Sequence, residues 1–395
     1  MPLVFVHGVA TRRSPSYDRV VQQRTAMWRS FLGPALGVPA SAFKVVNPYW
    51  GEVAAAFAWQ HASLPVADAE KLGGADAEGP LAELLDAGLS AETTPLEGTP
   101  PLIGVARQSL ADAIDLLWAA AAERATAHEV DELGELASAA MDYAEGNPHP
   151  VWLHEVSDDR DFLAQLLSLI SVREDGDQET FGSSTRRRAV GRLREAIGRI
   201  ASAAPRAAST GLLAATRART HRSVSLFLGD ILCYLRQREN HGAHAPIARI
   251  VADAIEDAHR SRSDVDPRVV VVAHSMGGNV VYDLLSHLRT DLRVDILATV
   301  GSQVGVFAEL GLFPAVTAPA DHVAYRVPEL PNLARWINVY DPNDVLAFVV
   351  GEIFAGAEDY RYSTGRGLLH SHSSYFVRPS FHRTLAHRLG TLHEG

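Results

Sequence analysis

Lysine is almost missing: only Lys44 and Lys71 occur, and arginine carries nearly all the positive charge. A GC-rich bacterial genome accounts for that bias without any functional demand for guanidinium groups. Positive charge is also in deficit, with 36 Lys and Arg against 47 Asp and Glu, for a formal net charge of −11. A nucleic-acid binder needs a concentrated basic face, so that class is set aside. A lone cysteine, Cys233, excludes an intrachain disulfide framework and C-x-x-C metal sites. It fits a reducing compartment. No apolar run approaches the length that spans a bilayer. The opening MPLVFVHGVATRRS has no basic stretch before its apolar run, which covers only Leu3 to Val6, so no signal peptide is expected. These absences lead to the expectation of a cytoplasmic protein with at most peripheral membrane contact.

What remains is the composition of a soluble globular chain, 47% apolar and 21% charged over 395 residues, enough for one large domain or two ordinary ones. Short Val- and Ile-rich runs mark strands at 3–6 (LVFV), 43–50 (FKVVNPYW), 269–273 (VVVVA), 296–301 (ILATVG) and 336–340 (WINVY). They are apolar on both parities, as strands buried on both faces of a parallel sheet are. Helical spacing over 17–32, 246–260 and 277–289 alternates with them. The pattern predicts an α/β fold, a doubly wound and mostly parallel sheet.

Residues 51–221 read differently. They are rich in Ala, Leu, Glu and Arg, and helical spacing recurs at 52–61, 104–127, 129–144, 159–172 and 187–204. The expected organisation is a core of 1–50 and 222–395 with 51–221 as a large all-helical insertion, a lid or subdomain. Phe57, Trp59, Leu117, Trp118, Leu166 and Leu169 could line an apolar groove there, although such residues at helical spacing more often form core. Residues 68–135 are acidic and 186–222 basic. The basic segment, with Arg186, Arg187 and Arg188, could touch anionic lipid; pairing with the acidic helices is the plainer reading.

The chemistry concentrates at VVVVAHSMGGNVVYDLL, where an apolar strand runs into Ser275. In A-H-S-M-G, Ala273 and Gly277 are the small residues that a serine on a sharp strand-to-helix turn requires. The helix starting near Gly277 aims its N-terminal N–H groups at the serine, where negative charge would develop. His274 sits beside the serine as part of the turn. A serine nucleophile on such a turn takes an acid and then a base from later in the chain. WINVY is followed by DPND, offering Asp341 and Asp344; GRGLLHSHSSYF then offers His370 and His372. Asp344 is favoured over Asp341, because Asp341 before Pro342 suits a turn-capping role. The apolar pair Val345 and Leu346 is expected to anchor the Asp344 loop on the sheet. His372, in HSSYF, is favoured over His370; His7, His274, His382 and His387 are weaker candidates for the base. An oxyanion hole needs two N–H donors, for which Met276 follows the serine and Val9 follows His7-Gly8 after the first strand. Gly8 is expected to let the backbone turn back toward the site.

These stretches (VFVHGV, VVVVAHSMGGNVVYDLL, WINVYDPNDVLA and SHSSYF, with SLFLGDILCYL at 225–235) resemble the α/β-hydrolase superfamily, in its lipase and serine-esterase branch. The resemblance covers about 1–50 and 222–395 and leaves the helical insertion unmatched. It implies Ser275 as nucleophile, His372 as base, Asp344 as acid, and Val9 and Met276 as oxyanion donors. Two departures stand out: Ala273 replaces the first elbow glycine, and the chain starts at the His-Gly strand, without the two strands that usually precede it. The expected activity is hydrolysis of carboxylic esters, of lipids in particular, with no cofactor and no metal; His241 and His244 are too few for a ligand set. An acyltransferase or thioesterase would use the same residues, and a non-catalytic interaction module could be built on the same fold.

Overall fold

The chain forms an α/β structure because its apolar runs can satisfy their backbone groups only by pairing with one another. The computed structural model describes residues 2–14, 16–40, 42–63, 101–122, 125–171, 183–203, 211–263, 267–317, 325–364 and 371–390. Among them, in chain order, are β1 (Pro2–Val6), α1 (Tyr17–Met27), β2 (Lys44–Val46), α2 (Pro101–Gln108), α3 (Leu110–Ala122), α4 (Ala127–Gly146), α5 (Asp159–Ser171) and α6 (Ser183–Ala203). There follow α7 (Gly211–His241), α8 (Pro246–Arg260), β3 (Val270–His274), α9 (Met276–Asp283), β4 (Val294–Val300), α10 (Val304–Glu309), β5 (Leu333–Tyr340), β6 (Ala357–Arg361) and α11 (Pro379–Gly390).

The strands form one six-stranded sheet in the order β2-β1-β3-β4-β5-β6. Every neighbouring pair is parallel, with Val4 opposite Val271, Ala273 opposite Thr299 and Val300 opposite Val339. Parallel strands need both faces covered, and β1 is buried at every residue. One face of the sheet (Val4, Val6, Val269, Val271, Ala273, Leu297) packs in a common core with Ile247, Val251 and Ile255 of α8. α8 is strongly amphipathic: Pro246 starts it, and Ile247, Val251 and Ile255 recur every fourth residue on its buried face. From β1 the chain goes to β2 on one side, then returns to β3 on the other. The strand order therefore reverses between β1 and β3, the place where open α/β sheets hold ligands at their carboxyl ends.

The contacts divide the chain into two units, one of Met1–Ser14, Ala42–Gly88 and Thr210–His372, the other of Pro15–Ser41, Leu89–Ser209 and Ser373–Gly395. The first holds the sheet. The second is helical and takes in α1 and α11, which lie outside the 51–221 bounds expected for the insertion. Leu117, Trp118 and Leu166 are fully buried in it, so these residues form core rather than a groove. Trp118 donates its indole N–H to the Leu133 carbonyl at 2.8 Å. Arg192 pairs with Glu129 and Glu195 inside this unit, at 3.1 and 3.0 Å.

Several expected elements are corrected. The helix over 104–127 is broken: α2 ends at Gln108, and the Ser109 hydroxyl accepts the Asp112 N–H at 3.2 Å, capping α3. Residues 51–63 are turns rather than a helix. The strand over 43–50 is only β2, since Pro48 and its predecessor Asn47 leave the ladder. β6, AEDYR, was not expected: it is a part-exposed edge strand without an apolar run. Among the described residues no helix is long and apolar enough to cross a membrane.

Candidate functional site

Ser275 stands between β3 and α9 with φ +54° and ψ −130°, angles that a residue other than glycine adopts only when its surroundings enforce them. Its N–H donates to the Val300 carbonyl of β4 at 2.9 Å, continuing the sheet ladder into the turn. The Gly278 N–H then closes the turn on the Ser275 carbonyl at 2.9 Å. The small residue at position 277 has a specific cause. A Cβ on Gly277 would come within 2.6 Å of the Val6 carbonyl and 2.8 Å of the His7 carbonyl. The first strand, not Ala273, therefore forbids a side chain there. Gly8 is required from the opposite direction: its Cβ would lie 2.6 Å from the Cβ of Ser275. The left-handed residue of that loop is Ala10, at φ +58°, rather than Gly8.

Three of the expected side chains come together. His372 Nε2 is 2.9 Å from Ser275 Oγ. Its Nδ1 lies 2.9 and 3.1 Å from the two carboxylate oxygens of Asp344. Asp344 and Ser275 are buried, while the His372 ring keeps partial access to solvent. The carboxylate can only accept, so Nδ1 carries a proton and Nε2 is left as the acceptor for the serine hydroxyl.

The supporting contacts hold this chain in place. Asp344 Oδ1 accepts the Leu346 N–H at 3.0 Å, and Ser371 donates its hydroxyl to the Asn343 carbonyl at 2.9 Å, tying the His372 turn to the Asp344 loop. His274 donates from Nε2 to the His372 carbonyl at 2.8 Å, and the two rings lie 4.8 Å apart. Asp341 has the turn role: its oxygens accept the Asn343 N–H at 2.9 Å and the N–H and hydroxyl of Thr364 at 2.7 and 2.6 Å. Val345 does not anchor the acid loop; it is exposed, and backbone bonds do the anchoring, with the Phe348 N–H on the Ser302 carbonyl at 3.0 Å. His370, the alternative base, lies outside the described residues.

His7 is built into the loop. Its Nδ1–H donates to the Gly8 carbonyl at 2.8 Å, its Nε2 accepts the Trp50 N–H at 3.2 Å, and its ring stacks on Trp50 with centroids 4.5 Å apart. Val9 is partly buried in the turn that follows. Met276 is the first residue of α9, where a backbone N–H has no acceptor within the helix.

No family model, no curated protein and no solved structure matches the chain.

Sequence reasoning missed two residues here. Gln303 is buried with Oε1 3.5 Å from Ser275 Oγ, because its amide nitrogen is committed to the Gly301 and Leu346 carbonyls at 3.0 and 2.6 Å. A glutamine after β4 gives no signal in one sequence. Asp230 holds the loop after β1, and its signal was legible: it is the one acid in the apolar stretch SLFLGDILCYL. Among the described residues no group of three or more His, Cys, Asp or Glu side chains is placed to hold a metal ion.

Proposed function

We propose that the chain is a serine hydrolase of the α/β-hydrolase type, cleaving carboxylic esters through a covalent acyl-enzyme. The observation that carries this reading is the hydrogen-bonded series from Ser275 Oγ through His372 to the buried Asp344, mounted on a turn whose serine has a positive φ. His372 Nε2 takes the hydroxyl proton as Oγ attacks the ester carbonyl, and Asp344 holds the ring in the tautomer that leaves Nε2 free to do so. Negative charge moves to the carbonyl oxygen, for which the N–H groups of Met276 and Val9 are the assigned donors. The protonated His372 hands its proton to the departing alcohol oxygen as the C–O bond breaks. A water molecule, deprotonated by His372, then attacks the acyl carbon, and Ser275 leaves with the proton restored.

The substrate inferred is an ester with an apolar portion. Its support is the acid loop, where Val345, Phe348 and Val349 lie exposed within a few residues of Asp344. An apolar acyl chain laid over such residues would gain roughly 0.8 kcal/mol per buried methylene. The test is labelling with a fluorophosphonate probe together with turnover of p-nitrophenyl esters of increasing acyl length. Labelling and turnover should both vanish in Ser275→Ala, and kcat/KM should rise with chain length. Retained turnover in that variant overturns the reading; a flat length series overturns the apolar-substrate part alone.

A further inference from the structure

Asp230 lies within α7, 220 residues from Ala10 in sequence, yet its side chain is spent on the loop that follows β1. It is fully buried and both carboxylate oxygens are occupied. Oδ1 accepts the Ala55 N–H at 3.0 Å and Arg12 Nη2 at 2.6 Å. Oδ2 accepts the Ala10 N–H at 2.8 Å and Arg12 Nη1 at 3.0 Å. The guanidinium is thereby forked on the carboxylate, and it donates further to the Thr11 and Ala55 carbonyls at 3.1 and 3.2 Å. A carboxylate taken out of water needs such a set of donors to satisfy its oxygens.

The position of this cluster is what gives it a role. Ala10 is held at φ +58°, a left-handed conformation that an L-alanine resists. Its own N–H is one of the groups that Asp230 grips. The Thr11 hydroxyl bridges back to the Gly8 carbonyl at 3.1 Å, so the turn from Gly8 to Arg12 is fastened at both ends. Val9 sits inside that turn, and Gly8 before it lies so near Ser275 that a Cβ there would come within 2.6 Å of the serine Cβ. A change in the angles of Ala10 would swing the preceding peptide units, Val9 N–H among them.

We propose that Asp230 is the positioning residue of the oxyanion hole: through Ala10 and Arg12 it fixes the left-handed turn that aims the Val9 N–H at the reacting carbonyl. The inference rests on the serine-hydrolase reading and adds to it the element that presets one of its donors. Donors stabilise a developing oxyanion fully only when they are in place before the charge appears. Asp230 touches no substrate and acts only through the loop.

The experiment compares Asp230→Asn with the paired variant carrying Asp230→Asn and Arg12→Gln, which leaves no unmatched guanidinium and so guards against simple misfolding. Each is assayed with a p-nitrophenyl ester, and the fraction of reactive serine is counted by fluorophosphonate titration. The expected result is a kcat per titrated site lowered by about 10²-fold, the loss typical of one oxyanion donor, with KM little changed and the titrated fraction still complete given time. Unchanged kcat in both variants overturns the proposal. So does a loss of activity matched by an equal loss of titratable serine, which marks a purely structural role. A wild-type chain that neither reacts with the probe nor turns over ester overturns the serine-hydrolase reading itself, before any variant is made.

Discussion

At the scale of single residues, the two aspartates after β5 are separated by what each already holds. Asp341 is committed to the Asn343 and Thr364 donors and shapes the loop. Asp344 faces Nδ1 of His372. Asp344→Asn would let an amide N–H point at Nδ1, so that the ring proton moves to Nε2 and the base can no longer accept from Ser275. Ester turnover should fall by about 10⁴-fold, as an acid-to-amide change does where it selects the wrong tautomer. Asp341→Asn should lower thermal stability while costing turnover far less; kinetics of the two variants at matched folding check the pair. The three residues were legible in the sequence, since a serine on such a strand-to-helix turn takes an acid and then a base from later in the chain. The choice between the aspartates was argued there from Pro342 and from an apolar anchor. The capping role of Asp341 is present, but the anchor is backbone hydrogen bonding, which no side-chain pattern announces.

Between elements, α9 fits closely against β1. Gly277 lies where any Cβ would collide with the Val6 and His7 carbonyls, and backbone atoms cannot yield as a flexible side chain could. Gly277→Ala should therefore push α9 off the first strand. The expected cost is roughly 1–3 kcal/mol of stability, typical of overpacking, together with a loss of ester turnover as the serine turn moves. Urea unfolding and a turnover assay measure the two effects; an alanine accommodated without either change would mean that β1 and α9 are not held this closely. The sequence pattern found α8 and β3 from their apolar periodicity, but it proposed no element for α7, α10 or α11. It lost β6, whose edge position lets polar residues into a strand, and it made a helix of 52–61, where apolar spacing serves turns.

For the molecule as a whole, two buried groups of the helical unit tie stability to pH. Burial holds His382 down at about 3, far below the ordinary histidine value, with the Arg24 guanidinium adding to the effect. Its ring donates to the Phe376 carbonyl at 3.0 Å and packs edge-on to Trp28. Between pH 6.5 and about 3 the unfolded chain takes up a proton that the folded one refuses, so this histidine supports folding above pH 6.5 and loses that support as acid is added. Asp115 works with the opposite sign: burial raises it to about 6 despite Arg378 and Ser380, so the folded state keeps a proton the unfolded chain has released. His382→Gln, which retains an N–H for Phe376, should flatten the fall in stability below pH 6.5, removing up to about tenfold in the folding equilibrium constant per pH unit. Urea titrations at a series of pH values read this directly, and an unaltered slope would show that His382 does not titrate with unfolding. None of this was legible from sequence, because burial depends on which helices meet. The sheet order carries one more consequence, for synthesis on the ribosome. β1 is made before the other strands of the sheet, and one of its two neighbours, β3, begins only at Val270. Until then the apolar Leu3–Val6 ladder has an open side, the kind of edge that recruits other chains. The strand packed beneath the Ser275 turn is thus also one that needs shelter while the chain is being made.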